Sequence, residues 1–276
     1  MKNILKYFLS QLGKLLFFLM NNELGIYISD SFLNSKINRT KRISIKNINF
    51  LLHTPTYLTN YRYRTFLSKE PETIEWIDNF EKNSVFYDIG ANVGLYSIYA
   101  SICKNSKVFS FEPSFFNLEL LARNIFSNNM NNKIVIVPLP LNDKISISNF
   151  ELTSTDWGGA LSTFEKGFND SGEPIDAKFS YKTLGISLDQ LVEKFNLPNP
   201  SYIKIDVDGL EHYIISGGRS IISKASEILI EVNDKFLDQN KKVNHFLNEA
   251  GFKLDKKVYA HPKTKGVANQ IWIRKI

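Results

Sequence analysis

Hydrophobic and polar positions change period along this chain. Over residues 2–20, KNILKYFLSQLGKLLFFLM, Leu5, Phe8, Leu9, Leu12, Leu16 and Leu19 recur at three- and four-residue spacing, while Lys2, Lys6, Ser10 and Lys14 repeat every fourth residue on another face. That period predicts a basic amphipathic helix. From residue 84 onward, short β-branched or aromatic runs alternate with helical spacing. Strands are expected at 85–90 (VFYDIG), 107–113 (KVFSFEP), 134–141 (IVIVPLPL), 201–207 (SYIKIDV) and 227–232 (EILIEV). Helices are expected at 94–102, 115–126, 210–224 and 235–250. Such alternation argues for βαβ units, a doubly wound α/β fold whose mainly parallel sheet is covered by helices. The strand-like 251–256 and 269–274 are expected to close the sheet as an antiparallel hairpin. Residues 142–200 break the alternation with one strand-like run and a glycine-rich stretch. An insertion of that length reads as a lid or substrate loop.

Composition adds that the chain is globular: 276 residues, 43% hydrophobic and 22% charged. Its single cysteine, Cys103, excludes an internal disulfide and a cysteine-based zinc site, and fits a reducing, cytoplasmic compartment. The net charge of +6 is localised. Residues 1–46 hold eight basic groups against Glu23 and Asp30, and the remaining residues balance. A nucleic-acid enzyme spreads basic charge over its working face, so the balanced body argues against a nucleic-acid partner. The uncharged run 15–22 is too short to span a bilayer, and no small-residue cleavage site follows it. Residues 1–22 therefore either pack against protein or lie on an anionic membrane surface at the inner face of the membrane. The expected division is a basic, partly helical extension over 1–83 and a cofactor-binding domain over 84–276.

The strongest local signal is Asp88-Ile-Gly90-Ala-Asn92-Val-Gly94 between a strand and a helix. Glycines there let backbone N–H groups approach a ligand, and open α/β sheets bind ligands at the carboxyl ends of their strands. Glu112 ends the next strand, where an acid is placed to take the hydroxyls of a ribose. A dinucleotide loop carries G-x-G-x-x-G. Here Asn92 holds the second glycine position and Gly94 comes too early for the third. Asp88 would repel a phosphate but suits an amino group. The loop therefore fits S-adenosylmethionine better than NAD or ATP.

D-I-G-A-N-V-G, F-E-P, K-I-D-V-D-G-L-E and I-L-I-E-V together resemble the FkbM-type family of S-adenosylmethionine-dependent methyltransferases, over roughly 85–232. The resemblance implies a class I, Rossmann-like methyltransferase fold and an O-methyltransferase acting on a small polyhydroxylated acceptor, such as a sugar of a surface polysaccharide or glycolipid. It also implies that Gly90, Asn92 and Gly94 wrap the methionine part, Asp88 takes its ammonium and Glu112 the ribose. Asn142 and Asp143 fall where such enzymes hold the adenine, although Pro140 and Asn142 depart from the family's small residue and serine.

Asp206-Val-Asp208-Gly209-Leu-Glu211-His212 follows the fourth expected strand, and period two sets Asp206 and Asp208 on one side of it. Asp206 is placed to bind a substrate hydroxyl or take its proton, and His212 is a second candidate base. Alternatively Asp206, Asp208 and Glu211 hold Mg²⁺ through oxygen ligands. Asp208 capping the next helix, Glu211 complementing its N-terminus and His212 on the surface are the structural alternatives. Tyr57 to Arg64 interleaves aromatics with arginines, either a sugar- or polyanion-binding stretch or a solvated loop; Trp157 either covers the substrate or is structural. His53, His245 and His261 have no motif context. An NAD(P)-dependent oxidoreductase and a nucleic-acid methyltransferase are the competing functions; the missing third glycine weighs against the first, and D-V-D-G in place of an N/D-P-P-Y/F motif against the second. A non-catalytic scaffold is disfavoured by Asp88, Glu112 and Asp206.

Overall fold

A computed structural model describes residues 2–259 and 266–275, so His261 lies outside the described residues. The chain begins with α1 (Lys2–Leu19) and α2 (Glu23–Ile37). Asn22 caps α2 by accepting from the Gly25 N–H at 2.8 Å. A hairpin of β1 (Thr40–Ile45) and β2 (Ile48–His53) follows, then α3 (Tyr57–Lys69) and α4 (Pro71–Asp78). The aromatic and arginine stretch from Tyr57 to Arg64 is thus helical. Thr56 and Thr59 form a reciprocal capping box that starts α3, and Pro71 starts α4 where its missing N–H costs nothing.

The central sheet is built from β3 (Val85–Ile89), α5 (Leu95–Lys104), β4 (Lys107–Phe111), α6 (Phe115–Ser127) and β5 (Ile134–Val137). β5 stops earlier than the sequence pattern implied, because Pro138 and Pro140 have no N–H for the ladder. The insertion then folds as β6 (Leu141–Asn142), β7 (Ser146–Leu152), β8 (Ser162–Phe164) and β9 (Phe179–Ser187), followed by α7 (Leu188–Phe195). β10 (Tyr202–Ile205), α8 (Glu211–Gly217), α9 (Arg219–Ile222), β11 (Glu227–Asn233), α10 (Leu237–Glu249), β12 (Phe252–Tyr259) and β13 (Val267–Arg274) complete it.

The seven-stranded sheet has the order β12-β13-β11-β10-β3-β4-β5. β5, β4, β3, β10 and β11 are parallel; β13 runs antiparallel to β11 and β12, so the expected C-terminal hairpin is present. This is the doubly wound, Rossmann-like arrangement that the sequence pattern implied. A second sheet, β6-β9-β7-β8, is formed by the insertion.

Strand residues alternate between two cores. Tyr87, Ile89, Phe109, Ile203 and Ile205 pack with α8 and α10 on one face. Phe86, Val108 and Tyr202 pack on the other with Ile98, Leu121 and Trp76. Phe50, Leu52 and Phe66 belong to that second core, so packing is continuous across residue 83 and the β1–β2 hairpin, α3 and α4 are built into the body. Only α1 and α2 stand apart. The described apolar side chains of α1 are exposed, so of the two alternatives for residues 1–22 packing on the body of this chain is not what the structure shows.

Candidate functional site

Strand order reverses between β3 and β10, and at such a switch point the strand ends diverge and leave a crevice. Gly90 leaves β3 at φ +83°, and a Cβ there would lie 1.9 Å from the Asp206 carbonyl oxygen at the end of β10. Glycine is required because the two strand ends touch. Asn92 follows in the left-handed region, at φ 51°. Its N–H donates to Glu112 Oε2 at 2.8 Å, and its side-chain amide donates to the Gly159 carbonyl at 2.6 Å. The Asn92 side-chain oxygen is left buried and without a protein partner.

Two adjoining cavities of about 160 and 240 Å³ open on this loop and share Arg62, Lys69, Gly90, Asn92 and Asp206. The first runs past Glu112, Asn117, Leu139, Pro140 and Leu141 to Asp208 and Glu231, under Gly159, Ser162 and Phe164 of the insertion. The insertion therefore covers the cavity, as its length suggested. The second lies between α3 and α5 and reaches Tyr61, Glu70, Tyr96 and Lys204.

Gly90, Asn92, Glu112, Asp206 and Asp208 converge on the cavities. The other six sequence-derived candidates do not line them, and each has a structural occupation. Asp88 is buried and accepts from Ser97 Oγ at 2.6 Å; burial pushes its carboxyl up, against the pull of Lys204. Gly94 caps α5, where a Cβ would meet Leu121 Cδ1 at 2.5 Å, so it serves helix packing. Asn142 donates to Glu165 at 2.5 Å, and the backbone of Asn142 and Asp143 packs against Gly217. Leu139, Pro140 and Leu141 reach the cavity in their place.

Glu211 lines neither cavity. It is buried, with one oxygen accepting from the Val207 N–H at 3.1 Å and both accepting from Gly209 N–H, while Gln239 donates to the other oxygen. Burial pushes its carboxyl up to about 8. It fastens the turn that presents Asp206 and Asp208, so its oxygens are not free for Mg²⁺. Among the described residues no three His, Cys, Asp or Glu side chains are grouped to hold a metal ion. His212 is 5% exposed, tilted against Tyr213 with ring centroids 4.1 Å apart and edge-on to Phe236, with neither ring nitrogen partnered. Burial and the Lys242 charge pull it down to about 4, which suits a neutral packed ring and not a base at the cavity. Trp157 packs on the second core, the structural alternative.

At the chemical end, Asp206 Oδ2 lies 2.5 Å from Lys204 Nζ. Burial disfavours the Asp206 charge, but Lys204, Lys69 and Arg62 outweigh it and hold the carboxyl below its ordinary range. Asp208, at φ 58°, accepts from the Leu161 N–H at 2.7 Å; burial and the Asp206 charge raise it to about 6. Glu231 is raised well above the ordinary value by burial and the same neighbouring acids. Glu112 accepts from Ser114 and Asn92 N–H groups at 2.8 Å, and burial outweighs those bonds to bring it to about 7.

Lys69 and Asn117 had not been singled out in the sequence, and Arg62, Lys204 and Glu231 stood there only as members of the 57–64 stretch and of the K-I-D-V-D-G-L-E and I-L-I-E-V motifs, with no role of their own. Lys204 stood in a strand run, where a lysine flanked by Ile203 and Ile205 and two residues before an acid is the one available signal.

The hexuronic acid methyltransferase AglP of Haloferax volcanii is 25% identical over 158 residues, 57% of this chain and 59% of that protein. This chain thus spans less than two thirds of the relative's length. Among solved structures, a methyltransferase FkbM from Methylobacillus flagellatus matches with TM-score 0.48 and 16% identity, over 80% of this chain and 56% of that one. The tRNA m1G37 methyltransferase of M. jannaschii matches with TM-score 0.48 and 16% identity, over 87% and 58%. Residues 88–254, more than half of the chain, match the methyltransferase FkbM domain, and the chain belongs to that family of S-adenosylmethionine-dependent methyltransferases.

Proposed function

We propose that the protein transfers a methyl group from S-adenosylmethionine to a hydroxyl oxygen of a sugar-like acceptor, in the assembly of a polysaccharide or glycolipid. The observation that carries this reading is the position of Asp206. It lines both cavities, so it stands between the glycine loop and a second compartment with room for another reactant.

The residues present fit the cofactor. The unpartnered Asn92 oxygen offers an acceptor for the ammonium, and Asn92 takes over the role the sequence suggested for Asp88. Glu112 retains acceptor capacity beyond its amide partners for ribose hydroxyls, and Phe111, Leu139 and Leu141 supply apolar surface for the adenine. When bound, S-adenosylmethionine supplies a methyl group on a positively charged sulfur.

A carboxylate as acidic as Asp206 is a weak base toward a free sugar hydroxyl. Its part is to orient the hydroxyl and accept the proton as the C–O bond forms and the oxygen becomes acidic. Lys204 keeps it ionised for that role. Tyr61 beside the second cavity offers a ring face and a hydroxyl suited to a sugar. The hexuronic acid relative supports a carbohydrate acceptor. The test is mass spectrometry of isotope-labelled methyl transfer from S-adenosylmethionine into the cell's surface glycans. Label in an oxygen-linked methyl of a sugar supports the reading; label confined to RNA or protein overturns it.

A further inference from the structure

The two N-terminal helices expose apolar surface that the body leaves uncovered. In α1, Phe8, Leu9, Leu12, Leu15, Leu16 and Leu19 are all exposed, and Phe17 and Phe18 are 72% and 75% exposed. At 100° per residue, those first six fall within one broad arc of the helix, with Lys6 and Lys14 on the other side. The helix contains three lysines and no Asp or Glu. Its 18 residues give a rod about 27 Å long. Beyond the turn at 20–22, α2 continues the surface with Leu24, Ile28 and Phe32, exposed at four-residue intervals. Among the described residues no helix is long and apolar enough to cross a membrane.

We propose that α1 and the start of α2 dock the enzyme on the surface of an anionic lipid bilayer. The apolar arc enters the boundary between headgroups and acyl chains, and the lysines meet anionic headgroups. Charge complementarity selects this occupant. A second copy would present the same lysines, which repel, whereas an anionic headgroup layer presents their complement. Arg39, Lys41 and Arg42, just beyond α2, extend the positive charge along the chain toward the body, whereas Lys46 is paired with Asp78 at 2.5 Å. The inference is independent of which acceptor the site takes.

The experiment is co-sedimentation of the full-length protein with phosphatidylcholine vesicles, with and without phosphatidylglycerol. Sedimentation is expected only with the anionic vesicles. It should weaken as salt rises from about 0.1 M to about 1 M, where the screening length falls from about 10 Å to about 3 Å. Lys6→Gln and Lys14→Gln should each lower partitioning about fivefold, and Leu12→Asp with Leu16→Asp should abolish it. These side chains lie outside both cores, so each variant should retain wild-type S-adenosylmethionine affinity by calorimetry, which verifies folding. Equal binding to neutral vesicles overturns the choice of an anionic surface. No vesicle binding, with a dimer seen by light scattering that Leu12→Asp and Leu16→Asp dissociate, overturns the proposal in favour of a second copy.

Discussion

Lys204 and Asp206 lie on the same side of the chain at the end of β10, and their side chains close into a 2.5 Å pair between a buried ammonium and a partly exposed carboxylate. Burial works against the ammonium, yet Asp206, Glu70 and Asp88 outweigh it and hold it protonated above its ordinary value. Each partner therefore fixes the other's charge in a place where neither would be stable alone.

The first prediction follows from that pair. Asp206→Asn keeps the shape and removes the charge, and turnover should fall about 10²-fold or more while S-adenosylmethionine affinity is retained. Lys204→Met removes the neighbouring ammonium, so the Asp206 pKa rises and the acid limb of the turnover profile moves to higher pH. Full activity of Asp206→Asn, measured with purified acceptor, would reduce the acid to a structural element.

Glu112 gives a pH dependence of opposite consequence for folding and binding. Its carboxyl, ordinarily near 4.5, is raised to about 7 in the fold. Between those values the native state holds a proton that the unfolded chain has lost, so its contribution to stability declines as pH rises through about 7. Cofactor binding should run the other way, because the ionised carboxylate accepts ribose hydroxyls and the protonated one has an acceptor position blocked. Calorimetry across this range should show S-adenosylmethionine affinity increasing with pH. Glu112→Gln should flatten that trend and weaken binding by about 2 kcal/mol.

The sheet was legible in the sequence because buried parallel strands read as apolar runs and their helices as 3.6-residue periods. Glycine and acid positions at the ends of β3, β4 and β10 carried the site, since Gly90 and Asp206 lie where strand order reverses and Glu112 ends the neighbouring strand. What failed was side-chain direction. Asp88 and Glu211 sit in the right motifs, but Ser97 offers one a hydroxyl in the interior, and backbone amides with Gln239 draw the other into the turn. No local pattern specifies those partners. Lys69 was missed, and Arg62 was flagged only as part of the 57–64 stretch, for a related reason: α3 reaches the site through tertiary packing of Phe66 into the second core.

His212 supplies the third prediction. It is held near 4 against an ordinary 6.5 by burial and then by Lys242. As pH falls below 6.5 the unfolded chain takes up a proton that the native state resists, so the contribution of His212 to stability is full above 6.5 and is lost on the way down to about 4. His212→Phe preserves the packing on Tyr213 and Phe236 and should flatten this acid-side loss in thermal melts. Methyl transfer should be unchanged, because the ring does not reach either cavity. A large fall in turnover with normal stability would return His212 to the reaction.

The last prediction concerns the cover over the first cavity. Asn117 in α6 holds both ends of the Gly158–Gly159 pair: its side-chain oxygen accepts from the Gly158 N–H at 2.9 Å and its amide donates to the Gly159 carbonyl at 3.1 Å. Arg62 Nε donates to the Gly158 carbonyl at 2.7 Å, and Asn92 joins at Gly159. The segment thus bonds to α3, α6 and the glycine loop at once. Removing Asn117 deletes two of these bonds, each contributing about 1 kcal/mol, so Asn117→Ala should raise the open population about 30-fold. Hydrogen exchange over 154–161 should accelerate by that factor while exchange in β3, β4 and β10 stays slow. The affinity for S-adenosylmethionine should fall, because an open cover no longer excludes water from the cavity and leaves Asn92 without its carbonyl partner. Unchanged exchange over this segment would mean that Arg62 and Asn92 alone keep it closed, and the double variant Asn117→Ala with Arg62→Ala would then be needed to open it.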